Sequence, residues 1–487
     1  MTAKAPSTAK WVVAMILVIA IFRLACMAWL PLMDTTEARY AEIGRKMFAS
    51  GDWITPWHDS LPFWGKPPLS FWLTTLSFSL FGVNEFASRL PHFLCLVLVA
   101  WMSWTMAAKR SRQEALVTIA LLAGACLFFV SAGAVMTDEA LVVGTTLAMR
   151  GFWFHLNRAE EARGWHQWQM FVGIAIGLLA KGPLAMVLVF LPIFAWLLAT
   201  RRWADVWREF AWIRGMVLAL FLAAPWYVAA EIKTPGFLEY FIAGEHWHRF
   251  VTPGWKGDLY GNAHRFPPGT IWLCAVAATM PWALMLPIAF ARWRRLDGPA
   301  PRGDLAEPQW RLYLVCWSLA PLLFFTAARN IIWTYVLPAL PAMALLASAW
   351  LQQRAKPESV NKLVASGLAV TLLGSLAFGA QLYRSDSVNR KSAKSLVAFW
   401  QAHGGGSAPL IFIGSRLHSA SFYSDGQARL ESTASAARSS LGGGRGFLAI
   451  EHGEVGVQDN REGRFVGRFG RYDLFEFGPG VTGATTR

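Results

Sequence analysis

Long apolar segments recur along most of this 487-residue chain, and they decide what it can fold into. A helix needs about 20 predominantly apolar residues to cross the hydrocarbon core of a bilayer. The apolar segments predict about eleven membrane-spanning helices, within a range of about nine to thirteen, near residues 11–30, 86–107, 115–133, 139–155, 168–180, 182–199, 213–230, 269–291, 311–327, 331–350 and 361–382. A charged content of only 15% excludes an ordinary soluble domain. We therefore expect an all-α, polytopic membrane protein.

Positively charged residues fall on alternate loops between these segments, as they do on the cytoplasmic side of membrane proteins. Among them are Lys10, the run Lys109–Arg112 and Arg201. The alternation predicts a cytoplasmic N-terminus and places the long loops 31–85 and 231–268 in the periplasm of a bacterial inner membrane. These cytoplasmic residues explain most of the net charge of +15, so nucleic acid is not an expected partner.

The chain changes character after residue 383, where it becomes polar and rich in glycine. Three short β-prone runs, separated by turn residues, follow at 410–413, 446–451 and 472–477. They predict a small soluble α/β domain at 384–487, after a membrane domain at 1–383. The alternation of charged loops places this small domain in the periplasm as well.

Charged residues follow the first apolar segment directly, beginning with Asp34. The apolar residues after it have approximately helical spacing, which predicts a helix on the membrane surface. Asp34 or Thr35 would be a favourable N-cap for this helix. A carboxylate that acts in chemistry at the level of the lipid headgroups is the alternative, and this stretch alone leaves both open.

Further charged residues stand at the outer ends of later segments. Lys66 precedes Pro67 and Pro68, which hold the backbone rigid. Asp138 and Glu139 lie at the outer end of the third segment, and Lys181 lies between the fifth and the sixth. A single lysine at this depth usually extends its ammonium to the interface. Several charges there indicate a cavity or binding partner, because a charge inside a membrane is costly.

Several motifs follow one another in a fixed order: DTTEARYAEIGRKMFASGDWITP, GKPPLSFW, MTDEAL, GLLAKGPLA, FIAGEHWHRFVTPGWKGDLYGNAHRFPPG and TYVLPALPAMALL. Together they resemble the ArnT-like lipid A aminoarabinose transferases, a branch of the GT-C glycosyltransferases that is related to the protein O-mannosyltransferases. The resemblance covers residues 10–350, and SASFYSDGQARL at 419–430 resembles the external domain of the same branch.

The resemblance implies a GT-C fold and an enzyme. Its members transfer a sugar, here aminoarabinose or another sugar, from undecaprenyl phosphate to a lipid A phosphate on the periplasmic face of the inner membrane. A protein or another glycan is the alternative acceptor. The implied partners are therefore a polyprenyl-phosphate sugar, a lipid acceptor and the membrane itself.

The resemblance also assigns roles to individual residues. The implied catalytic carboxylates are Asp34 in the lead, Asp138 and Glu37. The implied donor-phosphate ligands are Lys66, Lys181, Arg249, Arg329 and Tyr335. Further candidates for the site are Glu139, Glu245, His246 and Arg39. Fixed cations suit this reaction, because negative charge accumulates on the departing phosphate as its bond to the sugar breaks.

Two positions depart from the family pattern. Gly65 stands directly before Lys-Pro-Pro, where many relatives carry an acidic residue, and Ile331 stands where many carry a lysine. No cofactor is firmly implied beyond the polyprenyl-phosphate sugar as a cosubstrate, because a divalent metal would lack this acidic ligand. Arg329 is a candidate replacement for the lost cation.

A transporter is the rival from another functional class. Many helices with charges at the membrane edge also describe a substrate pathway. Paired discontinuous helices with polar groups at mid-span would be typical of alternating access, whereas the charges here cluster on one side. This clustering favours the enzyme.

Overall fold

The computed structural model describes residues 8–157, 163–261, 265–296, 308–405, 407–453 and 463–479. The predicted loop 231–268 includes residues 262–264, and the predicted tail domain includes residues 406, 454–462 and 480–487, which lie outside the described residues. The N-terminal part is helical, apart from a short hairpin of β1 (Trp57–His58) and β2 (Leu61–Pro62). Its helices up to residue 200 are α1 (Thr8–Trp29), α2 (Thr36–Ser50), α3 (Leu69–Phe81), α4 (Glu85–Ala107), α5 (Arg112–Gly124), α6 (Cys126–Ser131), α7 (Asp138–Leu156), α8 (Arg163–Lys181) and α9 (Leu184–Thr200).

The second half of the helical part contains two helices of other types. A π-helix occupies Tyr240–His248, and a 3-10 helix at Trp333–Ala339 leads into α17. The α-helices of this half are α10 (Trp203–Glu209), α11 (Trp212–Lys233), α12 (Phe237–Glu239), α13 (Arg249–Val251), α14 (Thr270–Ala278), α15 (Trp282–Leu296), α16 (Pro308–Thr326), α17 (Leu340–Arg354) and α18 (Pro357–Arg384).

Five spans in the described part of the chain are long and apolar enough to cross a membrane: α1, α4, α11, α18 and the continuous segment Trp333–Arg354. The pair α14 and α15 forms a sixth candidate that is bent by 78°. Helices α5 to α9 and α16 occupy other predicted segments but do not pass the same test of length and hydropathy. A mainly helical protein with several possible membrane spans is therefore confirmed, whereas the number of about eleven spans stays a prediction.

Glycine residues bring α7 and α8 into close contact. A Cβ atom on Gly144 would lie 2.6 Å from the carbonyl oxygen of Gly173, and one on Gly173 would lie 2.4 Å from that of Gly144. Small residues at such contacts let two membrane helices approach until their backbones touch. Because the helices run antiparallel, the start of α7 at Asp138 lies beside the end of α8 at Lys181.

The segment 115–133, predicted as one span, is broken at Ala125 into α5 and α6. The break frees backbone groups that need partners where water is absent. The backbone N–H of Cys126 donates to the carbonyl oxygen of Met280 at 2.8 Å, at the bend between α14 and α15. The indole N–H of Trp282 donates to the carbonyl oxygen of Leu121 at 2.7 Å. The break between α5 and α6 and the bend between α14 and α15 therefore supply hydrogen-bond partners to each other.

A five-stranded sheet forms the C-terminal part, in the strand order β4-β3-β5-β7-β6. The predicted strands are confirmed as β3 (Leu410–Ile413), β5 (Gly446–Glu451) and β7 (Tyr472–Phe477), and the sequence reading missed β4 (Arg429–Glu431) and β6 (Arg464–Phe469). β3 pairs in parallel with β4 and β5, whereas β7 pairs antiparallel with β5 and β6. The helices of this part are α19 (Ser387–Lys391), α20 (Lys394–His403), α21 (His418–Tyr423) and α22 (Ala434–Leu441).

Candidate functional site

A buried ion pair joins two of the predicted site residues. The ammonium of Lys181 donates to Asp138 Oδ1, and both side chains are only 7% exposed. The ammonium also lies 4.8 Å from the centroid of the Tyr335 ring. Burying either charge alone would cost several kcal/mol, so each charge depends on the other for its place. The contact between α7 and α8 thus brings Asp138 and Lys181 together, and the 3-10 helix Trp333–Ala339 places Tyr335 beside them.

A second ionic cluster surrounds Glu245 on the π-helix. Lys66 Nζ donates to Glu245 Oε2 at 3.0 Å, and Arg249 Nη1 donates to both carboxylate oxygens at 2.8 and 2.9 Å. Arg249 also lies 3.4 Å from Asp258. The side chain of Glu245 is only 4% exposed. Burial alone would raise its pKa, but the Lys66 ammonium and the Arg249 guanidinium outweigh this effect and lower it.

His246 connects these two clusters. Its Nε2 lies 3.1 Å from the carbonyl oxygen of Lys181, and its Nδ1 lies 2.8 Å from that of Phe241. Burial lowers the pKa of His246, so the ring is neutral at neutral pH and donates to only one of these carbonyls at a time. π-helical turns are frequent at functional sites, and this one carries both Glu245 and His246.

Asp34 has partners in the C-terminal domain. Its carboxylate accepts from the backbone N–H groups of His418 at 2.7 Å and Ser419 at 3.0 Å, and from the Ser419 hydroxyl at 2.5 Å. It therefore holds the first turn of α21. Of the two residues considered as caps of α2, Thr35 is at the N-cap position but its side chain makes no hydrogen bond there, and Asp34 does not cap the helix. Burial raises the pKa of Asp34 against the effect of these hydrogen bonds.

Glu37 and Glu139 lie outside both ionic clusters. Glu37 forms a two-pronged pair with Arg89, at 2.8 and 2.9 Å, and so ties α2 to α4. Glu139 is fully buried and lies 3.6 Å from Nδ1 of His92, which is also fully buried. Each carboxylate therefore faces one helical neighbour and not the cations of the two clusters.

Arg39 and Arg329 also lie apart from these clusters. Arg39 Nη1 donates to the carbonyl oxygen of Tyr260 at 2.6 Å, and its guanidinium lies 5.7 Å from the Phe63 ring centroid. The carbonyl oxygen of Arg329 accepts from the N–H of Phe266 at 3.0 Å. Among the described residues, no hydrogen bond or ion pair engages the guanidinium of Arg329.

Three residues complete the second cluster without having been selected from the sequence. The hydroxyl of Tyr240 lies 3.4 Å from Glu245 Oε1, and Asp258 holds the far side of Arg249. The hydroxyl of Tyr260 donates to the carbonyl oxygen of Pro62 at 2.6 Å. The only available signal was their position in the polar loop 231–268, which carries many residues of the same kinds.

The structure does not fit a metal ion at the position before Lys66. Gly65 provides no ligand, and a Cβ atom there would lie 3.0 Å from the ring of Phe63 and 3.4 Å from that of Tyr260. Within the described ranges, no group of three or more His, Cys, Asp or Glu side chains is placed to hold a metal.

The two clusters can bind an anion by exchange. Each of the cations Lys66, Arg249 and Lys181 already has a carboxylate partner. A phosphate that entered would compete with Glu245 or Asp138 for these donors, and an arginine can hold two phosphate oxygens at once. The arrangement is suited to binding a phosphate and to stabilising the charge that it gains on leaving.

Known proteins resemble the chain in sequence. Residues 7–241 match the family described as dolichyl-phosphate-mannose-protein mannosyltransferase. Over 410 residues the chain is 30% identical to the undecaprenyl phosphate-alpha-4-amino-4-deoxy-L-arabinose arabinosyl transferase 1 of Pseudomonas fluorescens, covering 78% of this chain and 65% of that protein. Transferase 2 of Sodalis glossinidius is 31% identical over 345 residues, which are 69% of this chain and 58% of that protein. The chain thus spans less than two thirds of these relatives' lengths.

Solved structures show the same fold. ArnT from Cupriavidus metallidurans bound to undecaprenyl phosphate superposes with a TM-score of 0.78 at 22% identity, over 98% of this chain and 99% of that one. Its apo state gives the same TM-score at 19% identity. The resemblance that the ordered motifs indicated is therefore confirmed: the chain is similar in sequence to the arabinosyl transferases and, over residues 7–241, to the protein mannosyltransferases, and it has the fold of ArnT.

Proposed function

We propose that the protein is a glycosyltransferase that moves a sugar, aminoarabinose or another, from undecaprenyl phosphate to a phosphate of lipid A. The observation that carries this proposal is the convergence of Lys66, Lys181 and Arg249, three cations from distant parts of the chain, on two linked clusters. The activity for which the relatives are named and the fold shared with ArnT support it.

In the proposed reaction, the bond between the anomeric carbon and the donor phosphate oxygen breaks, and a bond to an acceptor oxygen forms. Lys66 and Arg249 hold the donor phosphate and stabilise the charge that it gains, with Lys181 and Tyr335 nearby. A lipid A phosphate is already ionised near neutral pH and needs orientation more than deprotonation. Asp34, as the lead carboxylate, and Asp138 orient the acceptor or stabilise positive charge on the sugar.

The remaining candidates take supporting roles in this proposal. Glu245 and His246 adjust the clusters, and Arg39 fixes the loop around Tyr260. Arg329 offers a further cation to the donor phosphate, since no hydrogen bond or ion pair engages its guanidinium among the described residues. Glu37 holds Arg89 and Glu139 faces His92, so both position helices. The proposed topology has about eleven spans, a cytoplasmic N-terminus and a periplasmic domain at 384–487. The reason for this orientation is that positively charged loops alternate along the chain.

Transfer by purified variants tests the proposal. Lys66→Ala and Arg249→Ala each remove a charge-assisted contact worth about 1.5–3 kcal/mol, so each should lower the transfer rate roughly ten- to a hundredfold. The assay supplies undecaprenyl-phosphate aminoarabinose and lipid A, and mass spectrometry measures the modified lipid. Lys109→Ala changes an exposed lysine and serves as the matched control. Unchanged transfer by Lys66→Ala would remove this residue from the site.

A protein or another glycan is the second candidate acceptor, favoured by the match of residues 7–241 to the protein mannosyltransferases. A hydroxyl acceptor would need a general base, which is a role open to Asp34 or Asp138. Mass spectrometry of lipid A from cells with and without the protein separates the two candidates. Unmodified lipid A in both strains, with a sugar on protein in one, would replace the first acceptor with the second.

A further inference from the structure

A separate cavity lies at the outer end of α1. Its volume is about 340 Å³, which is within the range of small-ligand sites. Its charged lining consists of two arginines and two carboxylates, Arg23, Arg89, Asp34 and Glu37, and Gly133 and Met136 form part of its opposite wall. The ionic clusters around Lys181 and Glu245 do not contribute to this lining.

Three of the four charges in this cavity are already engaged. Arg89 donates to Glu37 and to the carbonyl oxygens of Met27, Leu30 and Pro31. Asp34 accepts three hydrogen bonds from the C-terminal domain. The pair of Arg89 and Glu37 is neutral, and three hydrogen bonds already occupy most of the acceptor sites of Asp34. Arg23 is therefore the charge in the lining with unused binding capacity.

Arg23 is incompletely satisfied among the described residues. Its Nη2 donates to the carbonyl oxygen of Val130 at 3.0 Å, and its guanidinium lies 5.0 Å from the centroid of the Phe129 ring. Its Nε is buried without a hydrogen-bond partner. Among the described residues, no carboxylate forms an ion pair with Arg23. An unpaired arginine inside a helix long enough to span a membrane is costly, which indicates that it serves a ligand.

The opposite wall is shaped around this guanidinium. A Cβ atom on Gly133 would lie 2.4 Å from Arg23 Nη2, so only glycine leaves the guanidinium in place. The same wall leads into the proposed active site. Met136 is two residues before Asp138, which corresponds to at most about 7 Å between their Cα atoms. A group bound at Arg23 would therefore lie close to the cluster of Asp138 and Lys181.

We propose that this cavity binds the acceptor, and that Arg23 holds a phosphate group of the lipid A headgroup. The inference rests on the proposed function, in which lipid A accepts the sugar. A guanidinium can hold two oxygens of a phosphate, which fits the unused donors of Arg23. The donor phosphate occupies the clusters around Lys66 and Lys181, so the two lipids use different cations of the protein.

Binding to protein in phosphatidylcholine nanodiscs tests the inference without any turnover. The probes are lipid A with both phosphates, lipid A without phosphates, phosphatidylglycerol and undecaprenyl phosphate. Arg23→Ala should weaken binding of bisphosphorylated lipid A roughly ten- to a hundredfold, the scale of a lost charge-assisted contact, and leave undecaprenyl phosphate binding unchanged. Arg23→Lys should restore part of the affinity, because it keeps the charge and loses the fork.

Two further variants separate the site from a loss of folding. Gly133→Ala keeps Arg23 but displaces its guanidinium, so it should weaken lipid A binding as well. Lys10→Ala, on the exposed surface of the same helix, should bind like wild type. Retained binding of undecaprenyl phosphate shows that each variant is folded.

The outcomes are distinct from those of the proposed function. Unchanged binding of lipid A by Arg23→Ala would overturn the inference, even if the enzyme transfers sugar. Equally tight, Arg23-dependent binding of phosphatidylglycerol would overturn the assignment to the acceptor. Arg23-dependent binding of lipid A by a protein without transferase activity would support the binding site and refute the proposed reaction.

Discussion

Asp34 joins two parts of the molecule that lie far apart along the chain. Asp34 follows the end of the first span, and its carboxylate accepts a hydrogen bond from the backbone N–H of His418, which is 384 positions away in the chain. Its three hydrogen bonds make it a structural contact in this arrangement, and the same carboxylate also lines the cavity beside Arg23. A catalytic and a structural role predict different results for two neighbouring substitutions.

Asp34→Asn and Ser419→Ala separate these roles. If the charge of Asp34 acts in the reaction, Asp34→Asn should lose on the order of a hundredfold in turnover, the usual scale for a positioned acid, base or electrostatic group. Ser419→Ala removes one of its hydrogen bonds and keeps the charge, so it should lose little. Turnover is measured with the same purified donor and acceptor at matched expression.

Equal losses in both variants would contradict the catalytic role and leave Asp34 as a residue that holds α21. Near-normal turnover of Asp34→Asn would do the same. Limited proteolysis of the C-terminal domain, run in parallel, reports whether α21 has become detached.

At the residue scale, the sequence supplied candidate side chains but not the groups that they contact. Asp138 and Lys181 meet because α7 and α8 are antiparallel and closely packed, and Tyr335 reaches them from the 3-10 helix Trp333–Ala339. Nothing in the local sequence around Glu37 reveals that Arg89, 52 residues later, takes up its charge. Pairings of this kind depend on helix packing, which a single sequence does not specify.

At the scale of single elements, the break between α5 and α6 depends on Trp282. The indole packs against Gly124 of α5 and Gly367 of α18, where a Cβ atom would lie 2.5 Å and 2.0 Å from its ring. Thr371 of α18 donates to the carbonyl oxygen of Gly124 at 2.7 Å. The segment 115–133 is apolar throughout, so hydropathy alone could not predict an interruption at Ala125.

Gly367→Ala should therefore destabilise the protein. The new methyl group would overlap the ring of Trp282 and displace it from Leu121, and overpacking of this kind costs about 1–3 kcal/mol. A fall in the melting temperature of the detergent-solubilised protein is the expected result. Gly374→Ala, on the same helix with no atom within 4 Å of the added group, is the matched control.

A melting temperature for Gly367→Ala equal to that of Gly374→Ala would show that Trp282 can move at little cost. The hypothesis that Trp282 stabilises the break between α5 and α6 would then be refuted.

At the scale of the whole molecule, the C-terminal domain is docked on the first loop. Lys394 lies 2.5 Å from Glu85, whose carboxylate also accepts from the hydroxyl of Tyr423 at 3.0 Å. Arg416 pairs with Asp59 at the tip of the β1–β2 hairpin. The strands of this domain could be predicted from alternation and turns, but the docking could not, because its charged residues look like ordinary surface charges.

The docking should weaken in mild acid. The rings of His58 and His418 lie 4.9 Å apart at this interface, near Asp59, Arg39, Arg416 and Lys46. Burial, aided by the neighbouring His58, lowers the pKa of His418 from 6.5 to about 3, and burial also lowers that of His58. Below about pH 6.5 the two rings thus bind fewer protons in the docked state than in the undocked state. Acidification therefore favours undocking.

Spin labels at Ser60 and Gln427, both exposed, measure this change. As the pH falls from about 7.5 to about 5.5, the fraction of molecules in which the two labels are far apart should rise. His418→Gln should reduce this change. Burial raises the pKa of Asp34, which acts in the opposite direction, so the measured change is the net effect of the histidines and this carboxyl group. Identical distance distributions at both pH values would contradict the expectation.

The hydrogen bond between Cys126 and Met280 also sets an order on biogenesis. The ribosome completes α5 and α6 about 150 residues before it reaches Met280, so in the proposed topology, which places this break in the bilayer, the N–H of Cys126 first enters the membrane without its acceptor. Until α14 and α15 arrive, an insertase, a lipid headgroup or water must shield that group. The nascent chain therefore passes through a stage in which its first six helices need outside assistance.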